Sequence, residues 1–267
     1  MNIDQNFLNT NHTDTPNFTA RKLALDIFKK ISLTNATELQ LSLFKSNSFH
    51  YRLLRLIPGW QFATIYQETE YVDLCSVKSK NIYLDGYFQS EKYFSRMKES
   101  IKDEFEFPEL DSQNQDLAMR MLNAPNSVSV HIRRGDYLRS QQTYDTHGIL
   151  PMSYYQSSLN FLKNLYPDIT LFIFSDDIPW AKENLAGLNV IQSFIEGNDD
   201  SESWKDMALM TYCKHHIIAN SSFSWWGAWL KKNDGLVYAP QYWFNPQNVH
   251  FNIADFVPEN WSLVKYD

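Results

Sequence analysis

Glycine is scarce in this chain, with eight residues in 267, and the first of them is Gly59. No P-loop, no Gly-x-Gly-x-x-Gly run and no Gly-x-Ser-x-Gly elbow can be written, and no Ser-His-Asp set stands out, so kinase, dinucleotide and serine-hydrolase readings have no support. Cysteine is scarcer still. Cys75 and Cys213 are far apart and lack Cys-x-x-Cys or Cys/His spacing, which excludes a zinc ribbon and reads as two reduced thiols. No apolar run approaches the roughly 18 residues of a membrane span. The start, Met1-Asn-Ile-Asp-Gln-Asn-Phe-Leu8, has no basic stretch followed by an apolar one, so no signal peptide is expected. The Asn-x-Ser/Thr triplets at Asn11, Asn17, Asn35 and Asn220 are then chance matches, and the expected location is cytoplasmic. The net charge of −7 argues against a nucleic-acid binder.

What the chain does have is aromatics, 15% of residues, with 8 Trp, 15 Tyr and 18 Phe. Such side chains grip sugars, but they also fill large cores. Residues 1–20 are polar and expected to be poorly ordered. Residues 21–110 alternate helical and extended patches, including an amphipathic candidate at 21–30 and a short strand at 81–84. From 111 to 267 the pattern becomes regular. Helices are expected at 111–123, 153–166, 178–185, 203–214 and 223–231, and strands at 127–132, 170–174, 189–191, 216–219 and 236–239. Strand and helix alternate with short loops, which argues for an α/β fold with a parallel, Rossmann-like sheet.

Chemistry concentrates where strands should end. His131-Ile-Arg-Arg-Gly-Asp136 follows the first strand, and ligands gather at the carboxyl ends of such strands. The forks of Arg133 and Arg134 suit a diphosphate; the plainer alternative is a surface basic pair making salt bridges. Ser221 and Ser222 fall at a helix start, where N–H groups and hydroxyls favour an anion, or where serine simply caps the helix. Asp176 and Asp177 follow the most apolar strand. They can accept from a guanine or ribose, or cap the next helix. Glu202 and Asp206 are four apart near a helix start, and one could face the cleft as a general base; the alternative is complementing the helix dipole. His131 reads as a strand residue orienting Asp136 or a loop carbonyl. His215 is expected at the surface and His216 in a strand. Trp225 and Trp229 share a helix face and read as core, and Gly227 as allowing close helix packing. With no further acids or His at ligand spacing, no metal is expected.

Four segments together, Leu84 to Phe94, His131 to Tyr137, Phe174 to Asp177 and Ser221 to Trp229, resemble glycosyltransferase family 11, the bacterial α-1,2-fucosyltransferases. The resemblance covers about residues 80–245. It implies a GT-B-like fold of two Rossmann-like halves, GDP-β-L-fucose as donor substrate, no cofactor, no metal, inversion at the sugar carbon and a terminal β-galactoside acceptor. It also leaves room for peripheral association with the membrane that carries lipid-linked glycan. Arg133 matches the arginine that contacts the donor pyrophosphate, with His131, Arg134 and Asp136 as companions, and Asp176 and Asp177 match an acid pair near the guanosine. Asp206 stands sixteen residues before Ser222, a separation at which related fucosyltransferases carry an acid and a serine near the donor. One departure is plain. The family's Gly-Gly-x-Gly-Asn-Gln loop is absent, so the N-terminal half at 21–110 is expected to be incomplete, with an open strand edge. The alternative expectation is a GDP-fucose-binding remnant with impaired chemistry.

Overall fold

The computed structural model describes residues 2–3, 25–45, 63–68, 70–77, 79, 81–249 and 252–266. Residues 4–24 and 46–62, which include most of the polar N-terminus and the start of the 21–30 candidate, lie outside the described residues. In chain order the N-terminal region carries β1 (Asn2–Ile3), β2 (Thr34–Asn35), α1 (Glu38–Lys45), β3 (Ala63–Gln67), β4 (Asn81–Asp85) and α2 (Lys98–Glu104). There follow α3 (Ser112–Asn123), β5 (Ser127–Ile132), α4 (Gly135–Arg139), α5 (Gln141–His147), α6 (Met152–Leu165), β6 (Thr170–Ser175) and α7 (Ile178–Leu185). The last elements are β7 (Ile191–Phe194), α8 (Trp204–Met210), β8 (His215–Ile217), α9 (Ser222–Trp229), β9 (Val237–Pro240), α10 (Ile253–Phe256) and β10 (Ser262–Val264).

The expected parallel sheet is there, with six strands in the order β10-β9-β8-β5-β6-β7. The chain starts at the middle with β5, builds outward through β6 and β7, then crosses back to β8 on the other side of β5 and builds outward again. Between β5 and β8 the order reverses, and the carboxyl side of such a switch point is where open α/β sheets place their ligands. All six residues of β5 are buried, as befits a central strand covered on both faces.

Alternation along the strands assigns the two faces. Val128, Val130 and Ile132 with Leu171 and Ile173 pack against α6 and α7. Phe172 and Phe174 point the other way, to Ala118 and Met121 of α3 and to Ala208 to Met210 of α8. Ile218, Val237 and Ala239 meet Trp225, Ala228 and Trp229 of α9 on that side. Fully buried side chains such as Met121, Leu162 and Leu209 each contribute about 1.5–3 kcal/mol. Gly227 lets α9 approach α8. A Cβ there would stand 2.9 Å from Met210 Sδ and 3.1 Å from its Cβ.

The N-terminal region is joined to this layer by aromatics. The Trp226 ring is stacked between Phe94 at 5.7 Å and Phe105 at 5.3 Å, and Phe28 packs on Phe105 at 4.8 Å. The amphipathic candidate at 21–30 is, in its described part, a single 3-10 turn at Leu25–Ile27. β3 and β4 form a separate two-stranded parallel pair that leaves Ile65 and Leu84 exposed. The second half differs from expectation in several places. β7 begins two residues later, α8 ends at Met210, β8 ends at Ile217, and α4, α5, α10 and β10 are additional elements.

Candidate functional site at the sheet switch point

The register of β5 on β6 pairs Ile132 with Ser175, so Arg133 and Asp176 leave adjacent strands side by side. Arg133 Nε lies 3.3 Å from Asp176 Oδ2, and the Arg134 backbone N–H donates to Asp176 Oδ1 at 2.8 Å. Arg134 Nε is 3.7 Å from Asp177 Oδ2, and its guanidinium carbon sits 4.0 Å from the centre of the Trp180 ring. Gly135 permits this closeness, because a Cβ there would be 3.1 Å from the Asp176 carbonyl and carboxylate oxygens. Asp177 also caps α7, accepting from the Trp180 N–H at 3.2 Å, so the capping alternative holds for Asp177. Asp176 instead braces the arginine loop. The arginines do make the salt bridges of the plainer alternative, but both side chains are more than four-fifths buried rather than on the surface.

The other wall follows β8. Ile218, Ala219, Asn220 and Ser221 are all buried, and Ser222, which opens α9, is exposed. Ser221 has the extended backbone of an N-cap residue, yet its side chain makes no capping bond. The capping alternative therefore fails for Ser221, and the first-turn N–H groups of α9 are left to an anion or water. Tyr137 joins the two walls. Its Oη donates to the Asn220 carbonyl at 2.9 Å while its ring stacks on His147 at 4.9 Å. Asn220 Nδ2 donates to the His147 and Trp243 carbonyls at 2.9 and 3.3 Å, and its Oδ1 is buried with no hydrogen-bond donor among the described residues. His131 is buried, with its ring 5.6 Å from Phe223 near the start of α9. The Asp136 side chain lies outside what is described.

α8 runs into β8, so its first turn also opens at the carboxyl rim. Asp206 sits there, half-buried, and its Oδ1 accepts from Asn198 Nδ2 at 2.8 Å. Asn198 exchanges two further bonds with Asn114, at 2.9 and 3.0 Å, and Asn114 Nδ2 bonds the Asp111 carboxylate. Burial pushes the Asp206 carboxyl up to about 6, Asn198 opposing and Asp199 adding to the rise. The neighbouring cation does not help it. Lys205 Nζ is 2.9 Å from Asp111 and also pairs with Glu202, which is the exposed acid of the two considered.

The two histidines of β8 are both in the sheet interior, which corrects the expectation of a surface His215: β8 is an inner strand covered on both faces. His216 Nδ1 is 2.7 Å from Ser129 Oγ, and His215 Nδ1 accepts from the Leu236 N–H at 3.1 Å. Burial lowers their pKa values to about 3 and about 4, so both are neutral. Trp225 and Trp229 are core as expected, donating to the Phe256 carbonyl and to Glu91, each at 2.9 Å. Among the described residues no three His, Cys, Asp or Glu are placed to hold a metal ion, and no helix is long and apolar enough to cross a membrane.

A family model for glycosyl transferase family 11 matches residues 4–265. This chain belongs to glycosyl transferase family 11. Among its curated relatives, an alpha-1,2-colitosyltransferase of Escherichia coli is 40% identical over 184 residues, 67% of this chain and 61% of that protein. The O-antigen biosynthesis glycosyltransferase WbnK of Escherichia coli is 34% identical over 230 residues, 82% of this chain and 74% of that protein. A galactoside alpha-(1,2)-fucosyltransferase 1 of Saimiri boliviensis boliviensis is 25% identical over 229 residues, 77% of this chain and 61% of that protein. The family 11 chain described here thus spans about 61% of the length of the first and third of these relatives.

The family 11 motifs do converge. Arg133, Arg134, Asp176, Asp177, Ser221 and Ser222 all follow the carboxyl ends of the adjacent strands β5, β6 and β8, and Asp206 is on the same rim. Sequence reasoning missed Tyr137, Trp180 and Asn220, which hold the walls, and the Asn114–Asn198 pair behind Asp206. Tyr137 and Asn220 lie inside the motifs already singled out, and that adjacency was the available signal.

Proposed function

We propose that this family 11 chain transfers L-fucose from GDP-β-L-fucose to the 2-hydroxyl of a terminal β-galactoside in a surface glycan. The reaction inverts the sugar carbon and draws its positive charge from the protein rather than a metal. One observation carries the reading: the arginine loop after β5 and the uncapped N-terminus of α9 leave the carboxyl ends of adjacent strands at the switch point, tied together by the Tyr137–Asn220 bond. The galactoside and fucose assignments draw support from the fucosyltransferase relative, and the surface-glycan setting from the O-antigen relative.

In this reading the diphosphate enters between Arg133 and the start of α9, with guanosine beside Asp176 and Asp177. Arg133 exchanges its Asp176 partner for a β-phosphate oxygen, and Arg134 and the hydroxyls of Ser221 and Ser222 add donors. The acceptor oxygen bonds to the anomeric carbon opposite the phosphate. The carbon–oxygen bond to the β-phosphate breaks, and its electron pair leaves on GDP. Preorganised donors at that developing charge are worth on the order of 3–4 kcal/mol. The acceptor proton goes to Asp206, whose pKa of about 6 keeps it ionised, yet basic, at neutral pH. His131 and Asp136 support the arginine loop.

A second donor is favoured by one observation, the 40% identity to the colitosyltransferase. Colitose is fucose without the 3-hydroxyl, and its GDP ester would use the same diphosphate site. The test is mass-spectrometric. The protein is incubated with GDP-fucose or GDP-colitose, with lactose or N-acetyllactosamine, in excess EDTA. A product heavier by one fucose, formed about 10²–10³ times more slowly by Arg133→Ala, is expected. Transfer from GDP-colitose alone would change the donor, and GDP-fucose binding without any transfer would make the chain a donor-binding remnant.

A further inference from the structure

Ser222 belongs to a second space as well. It lines a cavity of about 200 Å3 whose other walls include Tyr87, Phe88 and Gln89 from the loop after β4, and Trp226 and Phe256. That volume falls below the roughly 300–1,000 Å3 of sites that enclose drug-sized ligands, and it suits one open-sided sugar ring. Among the described residues no Lys, Arg, Asp or Glu lines it, and this chemistry fits a neutral ligand rather than a phosphate. Aromatic faces attract the polarised C–H bonds of a pyranose, and Gln89 and Ser222 can each donate and accept.

The loop that presents Tyr87 is built rather than loose. Phe88 has φ 48°, a conformation that a bulky side chain rarely adopts, and Gly86 is pressed against Glu68. Glu68 holds the turn from both oxygens, accepting the Phe88 N–H at 2.6 Å and the Tyr93 hydroxyl at 2.9 Å. Phe88 packs inward on the Tyr93 ring at 5.2 Å, while Tyr87 is left 88% exposed. Backbone strain held in place by such bracing is typical of ligand-binding loops.

We infer that this cavity seats the terminal pyranose of the acceptor, with Tyr87 stacking on the sugar's apolar face and Gln89 bonding its hydroxyls. The inference rests on the transfer reading above. Shared use of Ser222 puts the acceptor ring next to the proposed diphosphate. Half of the wall comes from the N-terminal region, whereas the groups suited to the nucleotide lie on the sheet rim.

The test is ligand-observed NMR with methyl β-galactoside, with and without GDP, on the wild type, Tyr87→Ala and Tyr87→Phe. Saturation transfer to the galactoside is expected with the wild type and with Tyr87→Phe, and at least a tenfold loss of affinity with Tyr87→Ala. In turnover, Tyr87→Ala should raise the acceptor KM by a similar factor and leave the donor KM unchanged. Undiminished galactoside signal from Tyr87→Ala would overturn the inference. So would weaker binding of GDP-fucose, but not of GDP, to that variant, which would assign the cavity to the donor sugar. GDP binding that depends on Arg133, with no galactoside signal from the wild type, would overturn the acceptor subsite and leave the donor site standing.

Discussion

Two stretches of the same sheet rim treat charge in opposite ways. After β5 and β6, Arg133 and Arg134 meet Asp176 and Asp177 at 3.3 and 3.7 Å, beside the Trp180 ring. At the start of α8, Asp206 has amides for company while Lys205 turns away to Asp111 and Glu202. The first arrangement keeps positive charge in place and lets it change partners, because a phosphate can replace a carboxylate without a bare ion being buried. The second raises the proton affinity of a carboxylate chiefly by burial, with the charge of Asp199 adding to the rise. A transferase needs both: fixed positive charge for the leaving diphosphate and a moderately basic group for the incoming hydroxyl.

Removing either of these charged groups should have the largest effects. Arg133→Ala is expected to lower kcat/KM by about 10²–10³, the scale of a lost transition-state donor, with the circular-dichroism spectrum of the wild type. Asp206→Asn keeps the acceptor for Asn198 and removes the base, and a loss of kcat of about 10²–10⁴, with no loss of GDP affinity, is expected. The same variant separates stability from chemistry. Folding raises the Asp206 pKa to about 6, so the native state favours its protonated form. The stability this contributes is full below the unfolded value of about 4 and is lost as pH rises through about 6. Asp206→Asn should therefore be more stable than the wild type at pH 8, by roughly 1–3 kcal/mol, with the gap closing towards pH 4 in urea titrations. Trp180→Leu removes the face under Arg134, worth about 0.5–2 kcal/mol, and calorimetry should show GDP affinity falling a few-fold to about thirtyfold. Ser222→Ala should have the smallest effect, a loss of about fivefold in kcat/KM from one hydrogen bond of about 1 kcal/mol.

The cationic side was largely legible in the sequence; on the acidic side Asp206 stood out, but its surroundings did not. Val128 to Ile132 alternates and Leu171 to Phe174 is a continuous apolar run, so both strands and their carboxyl ends could be located from pattern alone. What the pattern lacked was register. Only the pairing of Ile132 with Ser175 reveals that Asp176 faces Arg133. The environment of Asp206 depends on Asn114 and Asn198, 84 residues apart, which no local periodicity connects. α4 and α5 have no apolar stripe at helical spacing. They are fixed by the Tyr137–His147 stack and end at Gly148, with φ 67°. β10 was invisible because only one of its three residues is buried.

The central claim is that the switch point holds a nucleoside diphosphate through the arginine loop while Asp206 serves the other substrate. Calorimetric titration of GDP in EDTA into the wild type, Arg133→Ala and Asp206→Asn tests it most directly. The account predicts that GDP binds to the wild type and to Asp206→Asn alike, and at least tenfold more weakly to Arg133→Ala. Equal affinity for all three folded proteins would contradict it.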